Sequence, residues 1–341
     1  MKKIILSLIC LFFVSTADSK ELYIFNWTEY MPDDVISAFE KEYKINVIYS
    51  TFESNEAMYA KVKMLRGTGY DIIFPSTYYI SRMRLEGLIS KIDKSEITNF
   101  NNIDKNFLNL SFDPENNYSV PYLWGSTGIG INSKYIKEGE INSWADLWDK
   151  KYKGKVLLTN DLREFFAIGL MVLGYSGNDK NEEHIKLAYE KLKDLIPSIK
   201  IFSSDSPKQP FLNEDVYIGV IWNGEMYTAS KINPDLKYIY PKEGSILWMD
   251  SMVIPSGSKN KEDAYKFIDF ILRPEVGKLI SEKIGYSSPN KESLKLIDNK
   301  TRSNAMIYPP DTIIKKSEFQ LDVGEAILVY EKYWQRLKTG Y

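Results

Sequence analysis

Several carboxylates in this sequence stand beside large aromatic side chains where an apolar run gives way to a turn. Glu29 lies in Phe25-Asn26-Trp27-Thr28-Glu29-Tyr30, and Asp161 and Glu164 lie in Thr159-Asn160-Asp161-Leu162-Arg163-Glu164. Asp250 lies in Trp248-Met249-Asp250-Ser251, and Ile221-Trp222-Asn223-Gly224 and Pro75-Ser76-Thr77-Tyr78-Tyr79 add further aromatics at such ends. A carboxylate pairs with an ammonium group, and an aromatic face attracts the same cation. Trp248 and Asp250, two residues apart on a strand, point to one face. An acid buried there without a partner is costly, so Asp250 needs one. Each site taken alone has a plainer reading: Trp27 and Tyr30 as core, Glu29 as a first-turn acid, and Asp161 with Glu164 as a capping box.

Catalytic chemistry finds little support. His184 is the only histidine, and it sits among Asn181, Glu182 and Glu183 at the polar start of a helix, so serine and cysteine triads lack a base. There is no histidine pair for zinc and no P-loop lysine motif. Gly125, Gly128 and Gly130 are not followed directly by a helix, so they do not make a nucleotide fingerprint and are read as allowing a bend or a crossover between domains. Paired carboxylates could serve a glycosidase, but nothing sets one acid against another as proton donor and nucleophile. The expectation is a chain with no catalytic residue, no metal and no cofactor.

The same acids and aromatics suit an aliphatic polyamine, whose ammonium groups are separated by methylenes. Carboxylates would take the ammonium ends and aromatic faces would cover the methylenes. A charged hydrogen bond contributes about 1.5–3 kcal/mol, a desolvated cation–π contact up to about 2 kcal/mol, and each buried methylene roughly 0.8 kcal/mol. Spacing would set specificity, because a shorter diamine leaves a buried carboxylate unpaired.

The elements that must position these residues read as α/β. Leu22 to Phe25, Ile45 to Tyr49 and Tyr70 to Phe74 are apolar strands alternating with helices over Val35 to Tyr43 and Ala57 to Leu65. That order is the pattern of a doubly wound, mostly parallel sheet, whose ligand crevice lies outside the carboxyl ends of the strands. After a strand-like, glycine-bearing stretch from Tyr118 to Asn132, a second α/β block follows. Its strands are expected over Lys155 to Leu158 and Tyr217 to Ile221, and its helices over Phe165 to Leu173, Ile185 to Leu195 and Met226 to Ile232. Ile246 to Pro255 reads as a strand returning to the first domain. Helices near Ala264 to Leu272, Val276 to Ile284 and Val323 to Leu337 complete the chain.

At 341 residues the chain is long enough for two domains, and an apolar share of 44% with 26% charged residues is that of a globular protein. Met1 to Ala17 has the basic start, short apolar run and small-residue end of a secretory signal peptide, and the run is too short to span a membrane. Cys10 lies inside it, so the mature chain is expected to have no thiol and no disulfide. Removing Lys2 and Lys3 takes the formal net charge from −2 to −4. With no basic run, nucleic acid is not an expected partner. The expected location is a bacterial periplasm.

In the motifs above, and in Tyr49-Ser50-Thr51 with Glu53-Ser54-Asn55-Glu56, Ser143-Trp144-Ala145-Asp146-Leu147-Trp148 and Gly285-Tyr286, the chain resembles the periplasmic spermidine/putrescine-binding proteins of bacterial polyamine ABC transporters. The resemblance runs over nearly the whole mature chain and is nearer the spermidine-preferring type. It implies a two-lobed periplasmic binding protein fold of class II type with the ligand in the cleft between the lobes. The lobes are expected at 18–125 with 249–294 and at 126–248 with 295–341. Carried over residue by residue, the resemblance implies an aromatic box of Trp27, Tyr30, Tyr78, Trp222, Trp248 and Tyr286. Glu29, Asp161, Glu164 and Asp250 would pair the amines, and Thr28, Ser76 and Gln320 would add polar contacts. Where the family pattern has a second acid this chain has Asn160. The implied function is capture of protonated polyamines, spermidine ahead of putrescine, for delivery to ABC permease subunits in the inner membrane. The rival reading is a polyamine receptor that signals to a membrane protein.

Overall fold

The computed structural model describes residues 20–339, so the expected leader, its cleavage point and Cys10 lie outside the described residues. The chain begins with β1 (Lys20–Trp27), on which Leu22, Ile24 and Phe25 are buried, and α1 (Asp33–Tyr43), which buries Val35 and Phe39. β2 (Ile45–Phe52), α2 (Asn55–Met64), β3 (Ile72–Ile73) and α3 (Thr77–Leu85) follow. The three strands form a parallel sheet in the order β2-β1-β3. This is the alternating pattern expected, but the third strand is cut to two residues.

The second sheet is built on β4 (Val120–Asn132), a single strand buried along its whole length. Its seven strands are β4, β5 (Val156–Leu158), β6 (Ile199–Phe202), β7 (Ile218–Trp222), β8 (Leu236–Ile239), β9 (Ile246–Met252) and β10 (Glu318–Phe319). They run in the order β10-β9-β4-β7-β5-β6, with β8 also paired to β4. β4 runs antiparallel to β7, β8 and β9, so the sheet is mixed. Its helices include α4 (Leu162–Val172), α5 (Glu182–Lys193), α6 (Gln209–Leu212) and α7 (Asn223–Ile232). After β9 come α8 (Lys261–Ile271) and α9 (Pro274–Ile284), and a C-terminal helix, Ile327–Thr339, packs its Tyr330 and Tyr333 into the core around α4 and α5.

β4 continues through Gly125, Gly128 and Gly130 as one strand, and its pairing with β9 shifts between Pro121 and Leu123. The glycines are there for close approach. A Cβ on Gly125 would lie 2.6 Å from the Trp248 ring, and one on Gly128 would lie 2.6 Å from the Tyr238 ring. The strand expected to return to the first domain is hydrogen-bonded inside the second sheet. Its far half still reaches the first sheet: Met252 and Ile254 are buried with Ile24 and Ile72, Met249 and Val253 with Phe25 and Ile73, and bridges join Ile73 to Val253 and Ser76 to Asp250. Those bridges hold the carboxyl end of β3 beside β9, and the cleft opens there.

Candidate functional site

The cleft is lined by Trp27, Thr28, Glu29, Tyr30, Ser76, Asp161, Glu164, Trp222, Trp248, Asp250, Tyr286 and Gln320, so it gathers twelve of the thirteen expected residues. About 570 Å³ of space, part of it open to solvent, lies between these residues. Tyr78 is the exception. Its ring is buried behind the wall, its hydroxyl accepts from Asn55 Nδ2 at 3.2 Å, and the Arg163 guanidinium lies over its face at 5.4 Å. It supports the site and does not line it.

From the first sheet, the turn after β1 brings Trp27 to Tyr30. Trp27 Nε1 donates to the Phe74 carbonyl at 2.9 Å, which fixes the indole edge, and the ring packs edge-to-face with Trp222, with centroids 6.3 Å apart. Glu29 has a φ of 53°, a left-handed conformation that costs a non-glycine residue roughly 1–2 kcal/mol. Tyr30 packs edge-on against Tyr286 at 5.3 Å, and Tyr286 in turn packs edge-on against Trp248 at 5.1 Å. Tyr286 is set by the left-handed Gly285 that ends α9 and by Gly224, where a Cβ would meet its ring at 2.5 Å.

Asp250, on β9, is 4% exposed and accepts a 2.6 Å hydrogen bond from Ser76 Oγ. Ser76 is held by Asn55, which donates to its Oγ at 3.0 Å and accepts from its amide at 3.1 Å. Burial pushes the Asp250 carboxyl up to about 7; the Ser76 and Tyr30 hydroxyls oppose the shift and Asp161 adds to it. Asp250 thus has the partner it needed, but the partner is a hydroxyl and not a cation.

At the start of α4, Asp161 is the N-cap and accepts from the Glu164 amide at 2.9 Å. The Glu164 side chain does not reach back to close a capping box. It accepts from Thr127 Oγ1, from Thr159 Oγ1 at 2.7 Å and from Trp222 Nε1 at 2.9 Å. Asp161 therefore serves as an N-cap without the reciprocal half of a capping box, and Glu164 turns toward the cleft wall. Burial raises both carboxyls; neighbouring Asp161 raises Glu164 further, while the Glu164 amide and the Arg163 guanidinium restrain Asp161. Arg163 also donates to the Leu321 carbonyl at 2.9 Å, tying down the segment that carries Gln320. The Gln320 amide donates to the Leu247 carbonyl at 2.8 Å, and its carbonyl accepts from Thr77 Oγ1 at 2.7 Å.

Four lining residues were not expected: Asn55, Ser204, Asp205 and Glu225. Glu225 closes one of the mixed strand ends, and Ser204 and Asp205 follow β6, a short strand whose half-exposed residues give little pattern. Glu29 is also not free. Its carboxylate pairs with Lys208 Nζ, which lies 3.3 Å from Glu225 Oε2 as well. Asn160, the departure from the family pattern, accepts from Lys338 Nζ at 2.5 Å on the surface. His184 lies away from the cleft, 2.8 Å from Asp179 and stacked on Tyr175. Among the described residues no cluster of His, Cys, Asp and Glu could hold a metal ion.

Comparison with known proteins agrees with this geometry. A family model described as bacterial extracellular solute-binding protein matches residues 34–306. The chain is similar to the spermidine/putrescine-binding periplasmic protein of Salmonella typhimurium, 49% identical over 324 residues that cover 95% of this chain and 93% of the relative. It is 48% identical over 323 residues to the protein of that name from Escherichia coli K12, with the same coverage. Among solved structures, the spermidine/putrescine ABC transporter substrate-binding protein PotD of Streptococcus pneumoniae superposes with a TM-score of 0.79 at 38% identity, covering 94% of this chain and 99% of that one. The expected two-lobed substrate-binding fold is shared with these neighbours.

Proposed function

The chain belongs to the bacterial extracellular solute-binding proteins, and from that premise we propose that it captures protonated polyamines in the periplasm and delivers them to an ABC permease, with no catalytic step. The lobes of this reading are 18–125 with 249–294 and 126–248 with 295–341. The observation that carries it is the state of Asp161, Glu164 and Asp250. All three are buried against aromatic rings with hydrogen-bond donors around them, yet the ion pairs at this cleft among the described residues are those of Lys208. Buried carboxylates that no cation pairs are completed by an ammonium ligand, which favours their charged form. Trp27, Trp222, Trp248 and Tyr286 offer faces and edges to the methylenes between ammonium groups.

Spermidine ahead of putrescine is the preference this reading takes from the relatives' names. Walls from both sheets would close on the ligand, so binding favours the closed form. Calorimetric titration with spermidine, putrescine and spermine, followed in parallel by tryptophan fluorescence, tests the reading. Heat and a fluorescence change with spermidine are expected; neither signal with any of the three overturns it.

A further inference from the structure

Lys208 is the one lysine in an ion pair at the cleft among the described residues, and it sits where a ligand ammonium would be expected. It precedes α6, on the side of the second sheet, while Glu29 lies on the turn after β1 in the first. Its Nζ bridges the Glu29 carboxylate and Glu225 Oε2, and its side chain is only 12% exposed although Glu29's is 49% exposed. Glu225 Oε2 is buried and makes no hydrogen bond of its own. Burial opposes the Lys208 charge, but Glu225 and Glu29 outweigh it and its pKa is raised, so the ammonium is retained.

The cleft therefore holds three carboxylate groupings: Asp161 with Glu164, Asp250, and Glu29 with Glu225. The first two make no ion pair, although Arg163 lies near Asp161, and the third already has a cation from the protein itself. A diamine needs two groupings and leaves Lys208 in place. A triamine that uses all three must displace Lys208 or approach it against like-charge repulsion.

We propose that Lys208 is a specificity-determining residue, a tethered ammonium that competes with one ligand ammonium for Glu29 and Glu225 and so narrows the site's preference for a triamine over a diamine. The proposal rests on the polyamine reading above. It also explains why Glu225, an acid at a cleft wall, carries no other partner: it is the anchor from which Lys208 reaches Glu29 across the cleft.

Titration calorimetry on the unaltered protein, Lys208→Met and Lys208→Arg, each with spermidine and with putrescine, tests it. A freed charge-assisted hydrogen bond corresponds to roughly ten- to hundred-fold in affinity, and the half exposure of Glu29 places the expected effect near the lower end. Lys208→Met should raise spermidine affinity about tenfold while changing putrescine affinity less than about threefold. Lys208→Arg keeps the charge and should keep the unaltered ratio. An unchanged ratio in Lys208→Met, or a shift in Lys208→Arg as large as in Lys208→Met, overturns the proposal while leaving polyamine binding in place. Absence of heat with both amines from the unaltered protein overturns the polyamine reading and this proposal with it.

Discussion

At the scale of single residues, the distinction that matters is between acids that hold the chain and acids that wait for a ligand. Asp146 is of the first kind. Its Oδ2 accepts from the amides of Asn142 and Ser143 at 2.9 and 3.0 Å, closing a capping box beside the fully buried Trp144. Asp250, on the reading proposed above, is of the second kind, held by the Ser76 hydroxyl within a wall of aromatic rings. Replacing Asp250 with Asn removes a charge from the cleft and should weaken spermidine binding roughly 10- to 100-fold. Replacing Asp146 with Asn should leave affinity within about twofold and cost at most about 1 kcal/mol of stability as a weakened cap. Calorimetry on the two variants checks both; equal losses of affinity would show that Asp250 is not a ligand partner. Asp250 was legible in the sequence because an acid two residues from a tryptophan in an apolar strand has few ways to be satisfied. An aromatic at a strand end, such as Tyr78, looks the same in sequence whether it lines a cleft or backs it. The backing role depends on Asn55 and Arg163, which only the fold brings to it. Tyr286 and Gln320 carry no local signal at all; the family resemblance supplied both.

At the scale of elements, α4 shows how one helix start can do two jobs. Asp161 caps the helix with its side chain, and Glu164, freed from a reciprocal cap, turns to Thr127, Thr159 and Trp222. Asn is as good an N-cap as Asp, so Asp161→Asn separates cap from charge. It should hold the urea midpoint close to that of the unaltered protein while weakening spermidine binding about tenfold or more. Asp161→Ala should lose both, with about 1 kcal/mol of stability gone. Normal binding by Asp161→Asn in calorimetry would mean that the acid is only a cap. Most strands and helices that carry the site were read from apolar spacing because they have buried faces. α3, which Ser76 caps, the short α6 and β10, and β6 and β8 were not; the residues of β6 and β8 are largely half-exposed or exposed and alternate poorly. With β6 unread, the turn bearing Ser204 and Asp205 had no strand to end. The glycines of β4 were visible, but their cause was not: Trp248 and Tyr238, whose rings meet them, lie more than a hundred residues further along the chain.

At the scale of the whole molecule, two sheets meet at a cleft in which Asp161, Glu164 and Asp250 are buried without an ion pair, and that imbalance links ligand, protons and stability. An acid whose folded pKa lies above its unfolded one stays protonated in the folded protein where the unfolded chain has already ionised. Its contribution is then complete below the unfolded value, about pH 4, and is lost as pH rises toward the folded value. For Asp250 that value is about 7, and Glu164 and Asp161 are raised in the same direction by burial. The unliganded protein should therefore lose stability between pH 5 and pH 8 more steeply than Asp250→Asn, measured as the denaturant midpoint at each pH. An ammonium ligand reverses the imbalance, because pairing favours the ionised acid. Spermidine binding at pH 6 should release protons, and the release should shrink as pH passes 7 and Asp250 is already ionised in the free protein. Titrations at pH 6 in two buffers with different heats of ionisation read this directly as a difference in apparent binding enthalpy. The difference should be smaller in Asp250→Asn, in which that proton no longer exists to be lost. Identical enthalpies in the two buffers at pH 6 would mean that the free cleft holds its acids ionised, and that the ligand does not supply the missing charge.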